Sequence, residues 1–384
     1  MRIAFAYDVP YPWHVGGIEV LNSNEVKELA KRHDVHFFTT KWPGMPGYEF
    51  VYKGAKYHAR HEIDRDRLYR HGRRSIREAV AYSLGLFRLF HYDFDVVVGN
   101  FFPILHVPVL WLYCRLRGAR LVLEVAEVWD REYWISYLGW PLGVLADLYS
   151  NMVLNSAEAY VSDSSATMQK LVEHGVAAEK IRVFAACIEG AEMESISRSA
   201  RKGGQRRRII FSGRLIKEKR LDKWLRAVKA VSERMPGVEG AIIGSGPELE
   251  NIKKEIRALG LSKVVKLMPF YDDKTDLYRA ISASSLMLHM SEREGFGIVC
   301  VESISLGTPV VLPSYTPIPE EVRSMCVVRD EKDLPSAMVE ILKSKELPVA
   351  NFDKRQIVEI PAVARIQAQI LLEPFSPKPL RPCR

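Results

Sequence analysis

The chain alternates short apolar runs with stretches of helical periodicity, and it does so twice along its length. Short apolar runs bounded by turn residues are typical of buried strands, and strands that alternate with helices build parallel α/β sheets. The first half has runs of this kind at residues 2–7, 34–40, 95–99, 120–126, 159–163 and 181–185. The second half has them at residues 207–214, 240–246, 264–269, 284–290 and 308–313. The pattern predicts an α/β protein with two parallel-sheet domains.

A polar and basic segment separates the two halves. Residues 195–207 have the sequence SISRSARKGGQRR, and a Gly-Gly pair within basic residues is typical of an interdomain linker. We therefore predict an N-terminal domain over residues 1–194 and a C-terminal domain over residues 208–350. Residues 351–384 are predicted to form a helical segment that ends in a Pro-rich tail.

The composition describes a globular protein with an anionic partner. Of the 384 residues, 47% are hydrophobic and 27% are charged, and the formal net charge is +8. No uncharged apolar run reaches the roughly 18 residues of a membrane-spanning helix, and the first residues lack the layout of a signal peptide. The five cysteines are scattered without metal-ligand spacing, which argues against a zinc site and favours a reducing cytoplasm.

The positive charge fits three kinds of partner, namely a nucleic acid, an anionic membrane surface and a phosphorylated substrate. No recognisable nucleic-acid motif accompanies the charge, so we expect no nucleic-acid partner. Composition does not choose between the other two.

Two carboxylates flank a Gly-Phe-Gly turn in the segment SEREGFGIVCVES, residues 291–303. Glu294 is predicted to lie on the loop after a strand, and Glu302 in the first turns of the following helix. Gly295 and Gly297 carry no Cβ and permit a ligand to approach the backbone, while the start of the helix favours an anion. The arrangement suits a phosphate between two hydroxyl-bearing rings, which is the shape of a nucleotide-sugar. The alternative is an ordinary connection with surface glutamates, which the paired glycines and acids disfavour.

Two basic residues follow the first strand of the second half, in the segment SGRLIKEKRLD at 212–222. Arg214 and Lys219 are predicted to lie at the carboxyl edge of the sheet, where open α/β sheets bind ligands. A guanidinium and an ammonium group together neutralise a diphosphate well. Taken alone, two loop residues of this kind are more often simply solvated, but the glutamate motif at the same edge favours a diphosphate site.

Two further glycine motifs are less specific. Gly16 and Gly17 follow the first strand and could bring backbone N–H groups against a phosphate, but a tight turn before a helix explains them equally well. The segment IIGSGPELE, residues 242–250, has Leu249 where a dinucleotide fingerprint requires a third glycine. We therefore reject a dinucleotide site there.

A basic segment and an aromatic segment occur in the first half. Residues 53–77 hold nine Lys or Arg against three Asp or Glu, and residues 129–149 hold six Trp or Tyr. Together they suggest an interface with an anionic membrane, on which Trp134 and Trp140 would lie at headgroup level. A solvated basic face beside an aromatic core explains the same residues equally well.

As a set, these motifs resemble those of the retaining glycosyltransferases of family 4. EGFGIVCVE, residues 294–302, resembles the E-x7-E motif of that family, and GGIEVL, SGRLIKEKRLD and IIGSGPELE occur in its order and spacing. The resemblance covers most of the chain and is strongest over residues 208–313. It implies a GT-B fold, in which two Rossmann-like domains face each other across a cleft. The nucleotide-sugar donor would bind mainly to the C-terminal domain and the acceptor to the N-terminal one.

The resemblance also implies roles for residues of the donor site. Arg214 and Lys219 would bind the donor diphosphate beside Gly213. Glu294 would contact the transferred sugar, and Glu302 would hold the ribose hydroxyls.

Backbone groups complete the implied donor site. Those of Phe296, Gly297 and Ile298 would lie near the sugar and phosphate, and Gly16 and Gly17 would close over the diphosphate from the other domain. The family generally needs no metal ion, because basic side chains and helix N-termini stabilise the leaving phosphate. We therefore expect no cofactor or metal, with the nucleoside diphosphate sugar as a co-substrate.

The N-terminal half departs from the family pattern. Many members place a His-Asp pair after the strand that corresponds to residues 120–126, whereas this chain has Ala126 and Glu127 there. Glu127 is the candidate catalytic acid, and the role of the histidine is vacant. Residues 183–190 also differ from the family's usual segment.

The implied function is a retaining transfer of a hexose from a nucleoside diphosphate sugar to a lipid-linked or glycan acceptor. The enzyme would be cytoplasmic and peripheral to the inner face of the cell membrane. Two alternatives stay open: a catalytically weak subunit that binds sugar nucleotides or glycans, and another GT-B activity such as a nucleotide-sugar epimerase.

Overall fold

The computed structural model describes the residues in the ranges 1–14, 17–70, 73–183, 193, 195–196, 207–271 and 273–344. They form two compact units, of which the first holds the described residues up to 183 and the second those from 193 onward. Most of the predicted linker and the whole predicted tail, 351–384, lie outside the described residues.

The first unit is built on a single large sheet. Its strands are β1 (Arg2–Ala6), β2 (Asp34–Lys41), β3 (Glu49–Tyr52), β4 (Ala55–Glu62), β7 (Val96–Asn100), β8 (Arg120–Val125), β9 (Ala159–Ser162) and β10 (Ile181–Val183), while β5 (Tyr69–Arg70) and β6 (Arg73–Arg74) form a separate short hairpin. The strand order is β10-β9-β8-β7-β1-β2-β4-β3. All neighbouring pairs are parallel except β3 and β4, which are antiparallel. The strand order reverses between β1 and β7, and ligands bind at such a switch point in open α/β sheets.

Helices connect these strands and bury one side against the sheet. They are α1 (Gly17–Leu29), α2 (Arg65–Leu68), α3 (Ile76–Gly85), α4 (Val107–Arg117), α5 (Arg131–Leu138), α6 (Trp140–Leu154) and α7 (Ser165–Glu173), with short 3-10 helices at Leu86–His91, Ile104–His106 and Ala178–Lys180. Serine side chains start two of them, since Ser75 Oγ accepts a hydrogen bond from the Glu78 N–H and Ser164 Oγ from the Thr167 N–H. Such caps satisfy amide groups that the first turn of a helix leaves without partners.

The second unit has a six-stranded parallel sheet. Its strands are β11 (Arg208–Ser212), β12 (Glu239–Ile243), β13 (Val265–Met268), β14 (Leu286–Leu288), β15 (Val310–Pro313) and β16 (Val327–Arg329), in the order β13-β12-β11-β14-β15-β16. Its helices are α8 (Leu221–Arg234), α9 (Leu249–Ala258), α10 (Lys274–Ser282), α11 (Ile298–Ser305), α12 (Glu320–Arg323) and α13 (Leu334–Lys343), with 3-10 helices at Lys217–Lys219 and Glu331–Asp333. The order reverses between β11 and β14, so the loops after these two strands define the switch point of this unit.

The predicted fold class is confirmed, because both halves are α/β units with parallel sheets. Each predicted apolar run overlaps a strand. The sequence prediction missed β3 and β4, which extend the first sheet at one edge. β4 lies inside the basic segment 53–77, and its Tyr57 and Ala59 are buried.

In the structure, the aromatic segment 129–149 is partly buried and partly exposed. Trp134 is buried in the core, with 5% of its surface exposed, so it cannot lie at a membrane surface as predicted. Trp129 packs against it, with ring centroids 4.6 Å apart. Trp140, at the start of α6, is 74% exposed. The core interpretation is therefore right for Trp134, while Trp140 stays a candidate for a surface contact.

Bilayer crossing requires a helix of about 20 largely apolar residues. In the part of the chain that the structure describes, none of the helices combines that length with that apolar character.

Candidate functional site

Glu294 lies on the loop after β14, and two nitrogen-bearing side chains contact it. Lys219 Nζ, from the loop after β11, donates a hydrogen bond to Glu294 Oε1. The Nε2 atom of His289 lies 2.7 Å from the same oxygen. The Lys219 and Glu294 side chains are only 14% and 13% exposed. Because β11 and β14 are adjacent parallel strands, the sheet brings together two residues that lie 75 positions apart.

The surroundings of Glu294 set its protonation state. Burial alone would raise the pKa of Glu294, because it disfavours the charged form. The Lys219 ammonium and the His289 imidazole outweigh burial and hold the pKa of that carboxyl well below its usual range. Glu294 is therefore ionised at neutral pH and can accept hydrogen bonds from hydroxyl groups.

Backbone hydrogen bonds fix the two loops to each other. The Glu292 N–H donates to the Glu218 carbonyl oxygen over 2.9 Å. Ser291, which is fully buried, donates from its Oγ to the Arg293 carbonyl of its own loop over 2.7 Å, and the same Oγ lies 3.4 Å from the Glu218 carbonyl oxygen of the other loop. An ion pair between Arg220 and Glu292 adds a side-chain link. The position of Lys219 relative to Glu294 is thus supported by several neighbouring contacts.

The Gly-Phe-Gly turn leads directly into α11. Gly297 has φ +81° and precedes the first helical residue, Ile298. A side chain at Gly297 would be strained in this conformation, and its Cβ would lie 3.1 Å from Ile318 Cγ2. Phe296 is buried, which anchors the turn. These are the residues for which the sequence predicts backbone contacts with sugar and phosphate.

Glu302 lies on α11 and is buried, with 5% of its surface exposed. Its Oε1 accepts hydrogen bonds from Lys274 Nζ and from the Tyr278 hydroxyl, each over 3.1 Å. Both partners come from α10, and sequence reasoning missed them. The sequence holds only a weak signal for them, a basic and an aromatic residue four positions apart.

Arg214 is exposed and lies on the loop directly after β11 and Gly213. Gly244 packs against this loop, and a Cβ at Gly244 would lie 2.0 Å from the Gly213 carbonyl oxygen. A Cβ at Gly246 would lie 2.4 Å from the Leu215 carbonyl oxygen. The glycines of the segment IIGSGPELE therefore allow two loops of the sheet edge to pack closely, which explains this motif without a dinucleotide.

The remaining predicted site residues belong to the first unit. Gly16 lies outside the described residues, and Gly17 is the first residue of α1. Glu127 follows β8, and its Oε2 accepts a hydrogen bond from Trp129 Nε1 over 2.8 Å. The structure thus brings Lys219 and Glu294 together within the second unit, whereas Glu127 lies in the other unit.

A second acid beside Glu127 was not predicted as a site residue. Asp163 follows β9, the strand next to β8. Burial raises the pKa of Asp163 to about 7, and the negative charge of Glu127 adds to the shift, while a hydrogen bond with Thr167 opposes it. The available signal was an acid at the carboxyl end of a predicted parallel strand.

Comparisons with known proteins agree with this architecture. The family model described as Glycosyltransferase Family 4 matches residues 15–189, and the model described as Glycosyl transferases group 1 matches residues 192–349. Together they match most of the chain.

Individual relatives differ in how much of their length is matched. An uncharacterized glycosyltransferase of Haemophilus influenzae is 29% identical over 109 residues, which is 28% of this chain and 30% of that protein. The match with this relative thus spans under a third of its length. A GDP-mannose-dependent alpha-(1-6)-phosphatidylinositol monomannoside mannosyltransferase of Mycolicibacterium smegmatis is 24% identical over 340 residues, or 81% of this chain and 80% of that one.

A solved structure supports the fold. The Anabaena protein HepE, crystallised with UDP and glucose, superposes with a TM-score of 0.63 at 16% identity, over 97% of this chain and 96% of that one. It shows the GT-B fold and, at this level of identity, nothing finer. Because both family models match the chain and its fold agrees with them, the chain belongs to the family 4 glycosyltransferases of the GT-B fold.

Proposed function

We propose that this protein transfers a hexose from a nucleoside diphosphate sugar to a lipid-linked or glycan acceptor, with retention at the anomeric carbon. The observation that carries the proposal is the ionised Glu294 in contact with Lys219 and His289 at the switch point of the second sheet. An anionic oxygen acceptor beside a basic residue is the combination that a sugar attached to a phosphate requires.

The contacts suggest how the donor enters. Lys219 holds Glu294 in the structure, and the diphosphate of a donor would compete for the same ammonium group. Once Lys219 turns to the diphosphate, the carboxylate of Glu294 is available to the sugar hydroxyls. Arg214, on the loop after β11, would meet the diphosphate from the exposed side. Glu302 would hold the ribose hydroxyls on the side of α10.

In the transfer step, the bond between the anomeric carbon and the diphosphate oxygen breaks. The acceptor hydroxyl oxygen forms the new bond on the same face, and the leaving diphosphate oxygen accepts the acceptor's proton. Negative charge grows on the diphosphate as its bond breaks, so Lys219 and Arg214 stabilise the transition state more than the ground state. Preorganised charges of this kind replace the metal ion in the proposed mechanism.

The acceptor is proposed to meet the first unit, where Glu127 and Asp163 lie near each other. We propose further that the protein associates peripherally with the inner face of the cell membrane. The net charge of +8 supports an anionic surface, and the mycobacterial relative is named for a phosphatidylinositol-based acceptor. HepE, which was solved with UDP and glucose, supports a nucleoside diphosphate donor by analogy of fold.

A donor panel tests the proposal. The purified chain is incubated with a series of UDP-, GDP- and ADP-sugars without acceptor, and release of the nucleoside diphosphate is followed. We expect slow hydrolysis of one donor, with the same anomer released first, as observed by proton NMR. Tight binding of one donor without any release would favour the sugar-nucleotide-binding subunit, and conversion of the sugar itself would favour an epimerase.

A further inference from the structure

His289 lies directly after β14, and the sheet fixes its position. Its side chain is only 2% exposed. Its backbone N–H donates to the Val311 carbonyl oxygen on β15 over 2.9 Å. This hydrogen bond continues the ladder between two neighbouring parallel strands, so the imidazole is held at the carboxyl edge of the second sheet.

The Nε2 atom of His289 lies close to Glu294 without being well bonded to it. The distance from Nε2 to Glu294 Oε1 is 2.7 Å, yet Nε2 makes no hydrogen bond of good geometry with any of the residues that the structure describes. Lys219 Nζ already donates to the same carboxylate oxygen. A buried nitrogen of this kind costs free energy until it finds an aligned partner. The contact between His289 and Glu294 is therefore incomplete while Lys219 holds the carboxylate.

The two nitrogen-bearing side chains beside Glu294 differ in their freedom to move. Lys219 carries its ammonium group on a flexible four-carbon chain, and it is the last residue of the 3-10 helix Lys217–Lys219. The side chain of His289 is shorter and stiffer, and the protein encloses it almost completely. A ligand at the sheet edge can thus draw the ammonium group away, whereas the imidazole stays beside the carboxylate.

A donor diphosphate that recruits Lys219 would leave the carboxylate of Glu294 in a buried place without its lysine. The loss of one partner of a buried ion pair is strongly destabilising unless another group replaces it. His289 is close enough to Oε1 to do so after a small rotation of the carboxylate. A histidine donates from Nε2 both as an imidazolium and as a neutral imidazole with its proton on that atom.

We propose that Glu294 exchanges partners when the donor binds, from Lys219 to His289, and that His289 is the positioning residue that then orients the carboxylate toward the sugar hydroxyls. Groups that contact a substrate need such support from neighbours whose own side chains are fixed by packing. The inference rests on the proposed function and deepens the role of the same site. Its first measurement, however, needs no substrate.

Isotope-edited NMR of the histidine rings in the full chain tests the exchange directly. The signal of His289 is identified by its loss in His289→Gln. A hydrogen bond to a carboxylate moves a ring N–H proton signal downfield. We therefore expect this signal to lie further downfield in Lys219→Met, which lacks the competing ammonium group, than in the wild type. UDP or GDP should move the wild-type signal in the same direction and leave that of Lys219→Met in place.

Two variants of His289 separate positioning from packing. His289→Leu fills the space but cannot donate a hydrogen bond, whereas His289→Gln keeps an N–H group close to the place of Nε2. With the donor saturating, we expect His289→Leu to lower kcat for donor hydrolysis about ten- to a hundredfold, the usual effect of one hydrogen bond to a charged group. His289→Gln should recover most of this loss.

His36→Leu is the matched control, because it replaces a similarly buried imidazole in the first unit. His36 is 2% exposed on β2, and its Nδ1 lies 2.8 Å from His58 Nε2. We expect this variant to lose stability but to hydrolyse the donor with unchanged kcat. Thermal unfolding of every variant shows which of them are folded at the assay temperature.

The outcomes distinguish failure of the exchange from failure of the proposed function. If the His289 signal is the same in the wild type and in Lys219→Met, the partner exchange is wrong, whatever the donor. If Lys219→Met moves the signal but neither nucleotide binds the wild type, the contact between His289 and Glu294 is supported and the proposed donor is wrong. If the Leu and Gln variants lose kcat equally, His289 only packs and the positioning role is overturned.

Discussion

At the carboxyl edges of the two sheets, the acidic side chains have different neighbours. In the second unit, each buried acid contacts a basic residue, Glu294 with Lys219 and Glu302 with Lys274. In the first unit, Asp8 pairs with Arg74, whereas two other acids each lie near a second acid. Burial raises the pKa of Glu124, which lies near Glu25, and burial together with the charge of Glu127 raises the pKa of Asp163 to about 7.

The difference indicates two kinds of chemistry. Burial favours the protonated form of a carboxyl group, so Asp163 is only partly ionised near pH 7. At the edge of the second unit, Glu294 is ionised, and Lys219 beside it is a basic residue that a phosphate can bind. The contrast agrees with the proposal that an anionic donor binds the second unit and a hydroxyl-bearing acceptor the first.

The largest effect is expected at Lys219, the basic residue beside Glu294 in the second unit. Lys219→Ala removes the ammonium group that would meet the growing charge on the leaving diphosphate. We expect kcat to fall by about 10²–10³ with donor saturating, the usual loss for one preorganised charge donor. Lys217→Ala is the matched control, because Lys217 is exposed on the same 3-10 helix. Unchanged kcat in Lys219→Ala would mean that the leaving group is stabilised elsewhere.

How far the sequence could predict this site depends on how the residues are brought together. Arg214, Lys219 and Glu294 lie on loops after predicted parallel strands, and a parallel sheet places such loops at one edge. The contact between Lys219 and Glu294 therefore followed from local patterns. The neighbours His289 and Lys274 lie in an apolar run and on a separate helix, and only packing in three dimensions brings them to the acids.

The first unit was harder to predict for a related reason. β4 carries basic residues at exposed positions, and its composition hides the buried Tyr57 and Ala59. Arg74 illustrates the same difficulty, since it belongs to the predicted basic surface but pairs with the buried Asp8. Charge along the chain does not reveal which side chains are already neutralised by the fold.

A smaller effect is expected at Glu302. Glu302→Gln should weaken binding of the free nucleoside diphosphate about ten- to a hundredfold, because hydrogen bonds to a charged group contribute roughly 1.5–3 kcal/mol. Lys274→Met removes the ion-pair partner of Glu302 and keeps its carboxylate. If Glu302 contacts the ribose directly, isothermal titration should find the Gln variant weaker than the Met variant. Equal loss of stability in both, with nucleotide affinity unchanged, would give Glu302 a purely structural role.

One added methyl group at Gly244 is expected to disturb the contact between the loops after β11 and β12. In Gly244→Ala, the Cβ would lie 2.0 Å from the Gly213 carbonyl oxygen, so one loop must move. We expect a loss of about 1–3 kcal/mol in the free energy of unfolding, as for other overpacked positions, and weaker donor binding. Gly47→Ala is the control, since its nearest neighbour would be 3.7 Å away. Urea denaturation and donor titration measure both effects, and equal behaviour of the two variants would contradict the packing explanation.

The raised pKa of Asp163 in the first unit predicts a pH dependence of the protein's stability. Burial raises the pKa of Asp163 from 3.8 to about 7, so the folded protein keeps a proton that the unfolded chain releases. Between about pH 4 and pH 7 the Asp163 carboxyl of the folded state binds more protons than that of the unfolded chain, so the contribution of Asp163 to the free energy of unfolding decreases as the pH rises. Asp163→Asn removes this titration and should flatten the slope over that range.

The matched control for this prediction is Asp130→Asn, in the same unit. Burial tends to raise the pKa of Asp130, but Lys170 and His174 outweigh it and lower that pKa. The stabilisation from Asp130 is thus complete above its ordinary pKa and is lost only at lower pH, so its removal should leave the slope between pH 4 and 7 in place. Urea titrations of both variants between pH 4 and 7 measure how the free energy of unfolding changes with pH. An identical slope in the wild type and Asp163→Asn would show that Asp163 is ionised at neutral pH, and the contrast between the two sheet edges would then rest on Glu124 alone.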